Sequence, residues 1–394
     1  MSTIVNSFLK LKGYCENEQY KGWDPYDGLN SKVFNATPLK KWNFARLAWI
    51  QGFKRSPINF RKLLLVPKQH NSKGLALFLS GYCNLYHIAK TGNESFGTTK
   101  EIEAAIKALA DLLLERQDTQ HSGACWGYNF DWQARLIFLF PKETPTIVAT
   151  SFCVDALFKA YEITKDERYL KTAISAAKFV IHDLNRSELK EGFLFSYSPL
   201  NGNNTVINAS LLGAKILSQV YQYTKEEELK ELAHKTIKAC CEIQTEEGSW
   251  VYGLMNVQSW IDSFHTGYNL DAIQTYQEIT GDESFKNNIE LGLTYYLKVF
   301  FLEDGTPKYY HDKTYPIDIH CPGQLFVTLS KTKTFDSNKD LADKVIKWTL
   351  DNMQDAKGYF YYQLKKGVSS KISYMRWSNA FMFNAMSHYF KEVN

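Results

Sequence analysis

Thr280-Gly281-Asp282-Glu283-Ser284-Phe285 decides the fold, because the chain repeats it. The run occurs as Thr91-Gly92-Asn93-Glu94-Ser95-Phe96, as Thr164-Lys165-Asp166-Glu167-Arg168-Tyr169 and as Thr224-Lys225-Glu226-Glu227-Glu228-Leu229. A degenerate copy lies near Lys333 to Asp340. Each copy follows an apolar helical stretch and precedes an amphipathic one. Glycine or lysine suits the end of the first helix and the acidic pair suits the positive start of the next, while the aromatic or leucine turns inward. A turn of this kind recurring about every sixty residues signals repeated αα-hairpins.

The two helices of each hairpin differ in character. VATSFCVDALFKAYEI (148–163), INASLLGAKILSQVYQY (207–223) and FHTGYNLDAIQTYQEI (264–279) are small and apolar, as helices enclosed by neighbours should be. DERYLKTAISAAKFVIHDL (166–184) and EEELKELAHKTIKACCEI (226–243) carry a wet face of Lys and Glu. Inner and outer helices imply a closed ring. Six inner helices are expected, beginning near Lys73, Ile147, Val206, Phe264, Ile319 and Tyr374. The last is expected to close the ring against an N-terminal helix at about residues 39–52. Residues 1–70 then form a wrap and closing helix, and 71–394 the ring, in one structural domain.

After each outer helix comes a glycine- and aromatic-rich return: GACWGYNFDW, EGFLFSYSP, EEGSWVYG, EDGTPKYYHDKTYP and KGYFYYQL. Such segments read as short strands or hairpins. They occupy one place in the repeat, so they gather on the face where the inner helices start. The predicted class is all-α: an (α/α)6 toroid with short β-hairpins on one face.

Composition bounds the function. Aromatics make up 15% of 394 residues, and 46 basic against 42 acidic residues give a net charge of only +4. That balance argues against an electrostatic nucleic-acid partner, while aromatics suit flat, weakly polar ligands such as sugar rings. The N-terminus has no apolar run of signal-peptide length, and no stretch approaches the roughly 20 apolar residues of a membrane span. Seven cysteines without framework spacing suggest reduced thiols. A cytoplasmic protein without stable membrane insertion is expected; oligomeric state is not legible.

Six helix pairs joined by T-G-D-E-x-Y/F linkers resemble the (α/α)6 toroid superfamily. Its carbohydrate branch includes N-acylglucosamine and cellobiose 2-epimerases, unsaturated glucuronyl hydrolases and polysaccharide lyases. The likeness covers roughly residues 70–392. DPYDGLNS, WGYNFDWQAR, FHTGY and YPIDIHC also look like segments of uncharacterised proteins from bacterial surface-polysaccharide gene clusters. Terpene cyclases, prenyltransferase β-subunits and lanthionine synthetases share the toroid, so fold alone does not settle chemistry.

The first turns of the inner helices present Thr150, Asn208, His265, His320 and Trp377 at equivalent points. In WIDSFHTGYNL, Asp262 stands three residues before His265, the spacing of an N-cap and the third helical position. Asp318 likewise precedes His320 in YPIDIHC. With Thr205 and Ser373 as caps, Asn208 and Arg376 take the position of His265. Either the two Asp merely cap their helices, or this ring of polar residues is catalytic. Two histidines facing across a cavity can remove a proton from one side of a sugar carbon and return it to the other; resemblance to the 2-epimerases implies that arrangement. Resemblance to the lyases implies a Tyr or His base beside a carboxylate neutraliser, from Asn208, His265, Tyr268, Arg135 and Arg376. A hydrolase needs paired carboxylates, from Asp131, Asp262 and Asp318.

Trp126, Tyr128 and Trp132 are candidate sugar platforms, with Asp131 and Arg135 binding hydroxyl or carboxylate groups; Trp250, Tyr252, Tyr309, Tyr310 and Trp377 have similar status. An aromatic plug is the competing reading. Zinc held by Asp318, His320, Cys321 and His265 is the metal alternative, although the leading expectation includes neither metal nor cofactor. The sequence contains no phosphate loop, dinucleotide fingerprint or GxSxG elbow. The expected activity is acid–base chemistry on a saccharide of bacterial polysaccharide biosynthesis or processing, whether epimerase, lyase or hydrolase. The alternative is a non-catalytic glycan-binding or assembly protein.

Overall fold

The computed structural model describes residues 2–133 and 139–394. The N-terminal sixty residues, irregular by their turn chemistry, include a helix α1 (Ser2–Asn17) that buries Phe8, Leu11 and Cys15. Two more helices follow, α2 (Lys32–Asn35) and α3 (Asn43–Arg55). From there inner and outer helices alternate: α4 (Ser72–Lys90) with α5 (Thr99–Glu115), then α6 (Ile147–Thr164) with α7 (Glu167–Lys178). Next come α8 (Ile207–Thr224) with α9 (Glu227–Cys241), and α10 (Ser263–Thr280) with α11 (Lys286–Phe300). The last inner helices are α12 (His320–Lys331), paired with α13 (Lys339–Met353), and α14 (Phe381–Val393), which continues a π-helical turn at Met375–Ala380.

Each even-numbered helix from α4 packs on the next, and α14 returns against α4, so the ring of six closes. Their burial is nearly complete: every residue from Ile207 to Val220 of α8 is buried. Outer helices bury one stripe only, as Leu229, Leu232, Ala233, Thr236 and Ile237 do in α9. Within the ring, Lys215 of α8 bonds Asp271 of α10 at 2.7 Å and lies 3.6 Å from Asp155 of α6, tying three inner helices by buried charge.

Closure corrects the sequence expectation. The partner of α14 is α4, and the sixth outer position is taken by α1, which packs on α13 and α14. Helix α3 instead packs on the segment before it and on the hairpin near residue 132. The reason is steric. At the α4–α14 seam a Cβ on Gly81 would stand 2.5 Å from Phe383, so only glycine lets the helices approach.

At the end of the inner helix the repeated linker behaves as read, Gly92 of the first copy included at φ 93°. Lys165, Lys225 and Gly281 end their helices with φ of 55°, 59° and 72°, the left-handed cap that glycine adopts most easily. At the outer helix two copies differ: α5 starts beyond the first, on a capping box of Thr98 and Glu101, and α11 starts at Lys286, just past the Thr280–Phe285 copy.

The returns form β1 (Trp132–Gln133) with β2 (Leu139–Phe140), β3 (Arg186–Leu189) with β4 (Gly192–Phe195), and a sheet of β5 (Ile317–Asp318), β6 (Tyr361–Leu364) and β7 (Ser370–Ser373). One hydrogen bond recurs around the mouth. The N–H at an inner-helix start donates to an aromatic carbonyl of the next return: Ile147 to Tyr197, Ile207 to Tyr252, Ser263 to Tyr309 and Ile319 to Tyr362. At the sixth place Met375 donates to Trp23. The N-terminal segment thus stands in for the missing return. The helix starts, with their orphan N–H groups, are satisfied by backbone that also carries aromatic rings to the mouth.

Candidate active site

Asp262 is the N-cap of α10, its Oδ1 accepting the His265 N–H at 3.1 Å. Its Oδ2 accepts from His265 Nδ1 at 2.7 Å and from Trp260 Nε1 at 2.9 Å. A ring that gives its Nδ1 proton to a carboxylate keeps a lone pair on Nε2, the tautomer of a base. The side chain of His265 is 20% exposed. Tyr252, itself stacked on Trp260 at 4.5 Å, lies 4.7 Å from the imidazole.

His320, one repeat on, is placed otherwise. Asp318 accepts from the His320 backbone N–H at 3.1 Å, from Gln363 Nε2 at 2.7 Å and from Trp377 Nε1 at 2.9 Å. The imidazole is buried, stacked on Trp377 at 4.2 Å and against Phe381 at 3.6 Å, and among the described residues neither ring nitrogen has a hydrogen-bond partner. Burial, then the charges of Lys73 and Arg376, hold it well below the usual histidine range, so the ring is neutral. Burial likewise lifts the Asp318 carboxyl to about 6. The two histidines do not face across an open hollow: Phe264 stands between them, 4.3 Å from His265 and 4.9 Å from His320.

Lys73 is the residue the sequence reading passed over. It sits in the first turn of α4, 4% exposed, with Nζ 4.1 Å from the Phe152 ring, 5.0 Å from Phe381 and 5.1 Å from Tyr268. Its one hydrogen bond is to Tyr268 Oη at 3.5 Å, and it forms no ion pair with a carboxylate among the described residues. Burial, then Arg376, pushes the amine well below the ordinary lysine range. Tyr268, buried beside it, is pushed the other way by burial. A lysine opening an otherwise apolar helix was the available signal.

The fork of Arg376 is already taken. Nε and Nη2 grip both oxygens of Asp24 at 2.6 and 2.8 Å, and the guanidinium lies over Tyr128 and Trp377. Arg61, fully buried, fixes the same segment through Asp27 Oδ1 at 2.6 Å and the Asp24 carbonyl at 2.7 Å. So clamped, Tyr26 covers the mouth, its ring 5.5 Å from Trp377 and 6.2 Å from Trp132.

Two proposed platforms are core residues. Trp126 and Trp250 are buried, and each indole N–H donates to the carbonyl of the preceding outer helix, at Leu113 and Cys240. No face is left for a sugar. Tyr128, stacked on Phe130, lies with Trp377 against Arg376 near the mouth, and Tyr310 packs on Tyr309 at 4.2 Å. Asp131 accepts the Lys142 N–H and ties the open end of the β1–β2 pair; Arg135 lies outside the described residues. Asn208 is buried, and its Oδ1 meets no donor among the described residues. Thr205 and Ser373 are not caps: their hydroxyls bond Gln258, and Tyr14 with Asn379. The zinc set fails to converge. Among the described residues only Asp118, His121 and Cys125, none of them in that set, bring three candidate ligand atoms together.

No family profile matches the sequence, and no curated protein sequence matches it. Solved structures do share the fold. A cellobiose 2-epimerase from Bacillus thermoamylovorans B4167 superposes with a TM-score of 0.63 at 14% identity, over 98% of this chain and 99% of that one. A GH76 α-mannanase from Bacteroides thetaiotaomicron gives 0.61 at 14%, over 94% and 100%. An unsaturated glucuronyl hydrolase specific for heparin gives 0.57 at 13%, over 82% and 86%. The chain is an (α/α)6 toroid, as its linkers imply.

Proposed function

We propose that this chain is a carbohydrate-active enzyme that moves a proton on a saccharide held at the toroid mouth, in the manner of an epimerase. The observation that carries the reading is the Asp262–His265 pair, which leaves a partly open imidazole with Nε2 free to act as a base. Once Phe264 turns aside, His320, neutral at rest, takes a proton from solvent and delivers it to the opposite face of the carbon, while His265, protonated by the abstraction, releases its proton to solvent. Lys73 and Tyr268 donate hydrogen bonds to the oxyanion that forms when the proton leaves carbon. Solved structures that share the fold include three sugar epimerases, which supports the reading.

Hydrolysis by paired carboxylates finds less support. Asp262 and Asp318 are both buried and spend their oxygens on wall residues, and Asp24 is held by Arg376. The test is incubation with a panel of disaccharides, amino sugars and uronic-acid oligosaccharides in deuterated water. Deuterium uptake at one carbon with formation of the epimer is expected, and H265Q/H320Q should abolish it. Shortened sugars would overturn the reading in favour of hydrolysis. Saccharide binding with no deuterium uptake would overturn it in favour of a glycan-binding protein.

A further inference from the structure

Between Lys32 and Lys68 the chain carries nine Lys and Arg and neither Asp nor Glu, although the whole sequence is almost balanced. The overall charge balance thus conceals one basic segment interleaved with aromatics. The fold explains where its side chains go. Phe34, Trp49, Ile50 and Phe53 turn inward, with Phe34 stacked on Trp49 at 4.8 Å, and make a small core against the mouth hairpin. The returning loop is tied beside α2, where Ser31 Oγ donates to the Leu64 carbonyl at 2.7 Å.

What remains outside is apolar and cationic. Eight of the fifteen large apolar side chains left exposed among the described residues fall between Val33 and Leu65. Phe44 is 82% exposed, Leu63 74%, Trp42 64% and Ile58 61%. Of the nine cations, Arg61 pairs with Asp27 and Lys68 with Glu18; the others meet no carboxylate among the described residues. Lys365, beside this segment, donates to the Arg55 carbonyl at 3.2 Å and adds another cation to that edge. Exposed apolar surface of this kind marks an interaction site.

We propose that the outer side of residues 32–66 docks on an anionic membrane surface, with Trp42, Phe44, Leu63 and their neighbours entering the interface and the lysines meeting lipid phosphates. Charge complementarity selects the occupant: a one-sign cationic field attracts an anionic leaflet. The exposed aliphatics separate this from a nucleic-acid surface, which uses aromatics for stacking but has no use for Ile58, Leu63 and Leu65 in water. Attachment is peripheral, since no helix among the described residues is long and apolar enough to cross a membrane. The inner side of the segment closes the mouth, because Lys54 of α3 bonds Tyr26 Oη at 2.6 Å. Docking would set the mouth beside the lipid headgroups.

The experiment is co-sedimentation of the full chain with vesicles of phosphatidylcholine alone or mixed equally with phosphatidylglycerol. Binding to the mixed vesicles alone is expected, weakening as salt rises. K40Q/K41Q should lower the partition coefficient by about fivefold per lysine. W42S/F44S, both on the surface, should release the protein while its melting temperature stays unchanged. Failure to sediment with the mixed vesicles overturns the proposal, as does undiminished binding by both variants. A dimer abolished by W42S/F44S, or capture by nucleic acid in place of vesicles, overturns it equally.

Discussion

The fourth and fifth repeats carry the same pair of residue types at the same mouth and use them in opposite ways. Asp262 and His265 are three apart across a helix start, so one carboxylate reaches both the backbone N–H and the ring. Asp318 and His320 are two apart across a strand end, so the carboxylate reaches the backbone N–H while the ring points into the aromatic box. One residue of spacing decides whether a histidine is oriented by its neighbour or left without a partner. The first arrangement orients an imidazole with its Nε2 lone pair unspent; the second makes a neutral, desolvated imidazole whose hydrogen-bonding capacity is unspent.

Four substitutions break or sharpen that contrast. The largest effect is expected from H265Q, which should lower deuterium uptake by roughly a thousandfold, in the range of a lost general base. Its melting temperature should hardly move, because the ring is partly exposed.

D318N should alter stability with pH, not ring orientation. The Asp318 carboxyl is held at about 6 against an ordinary 3.8, so the folded chain binds this proton more tightly than the unfolded one. Its contribution to stability is full below pH about 4 and is lost as pH rises through about 6, a change on the order of 3 kcal/mol. Urea denaturation of wild type across that window should show the decline, and D318N should lack it.

D262N keeps a good N-cap, since Asn and Asp cap almost equally well. It removes the carboxylate that fixes the His265 tautomer, so turnover should fall by roughly a hundredfold at unchanged stability. Equal loss of both would mean that Asp262 only caps.

The most diagnostic effect is that of H320F. Replacing a buried ring with two unsatisfied nitrogens by an apolar ring should raise stability by about 1–2 kcal/mol, read by urea midpoint, while proton transfer is lost. A destabilised H320F would mean that the imidazole makes contacts the aromatic box requires.

Much of the ring was legible in the chain. The linkers carry their own physics: a residue that accepts positive φ, an acidic helix start and an inward aromatic act locally and need no partner from elsewhere. The same holds for Asp262, whose cap and ring contacts lie within one turn. Other features depended on distant partners. Arg376 reads as a free cation at the mouth until Asp24, 352 residues away, takes its fork. Trp126 and Trp250 read as platforms because a tryptophan in a glycine-rich return suits either role; the carbonyls of Leu113 and Cys240 decide for the core. The first helix was obscured by the turn residues after it, although Phe8, Leu11 and Cys15 already keep helical spacing. Lys73 was hidden because a lone lysine at a helix start usually faces water, and only the closed ring puts Phe152, Tyr268 and Phe381 around it.

By itself the sequence determined the number of helix pairs, their inner and outer character, and which helix starts meet at the mouth, because each follows from periodicity and local capping. Only the tertiary structure decided which helices close the ring, which aromatics keep a face for a ligand, and which charged groups are already taken. Those outcomes depend on packing and hydrogen bonds between residues hundreds of positions apart, where local preference carries no information.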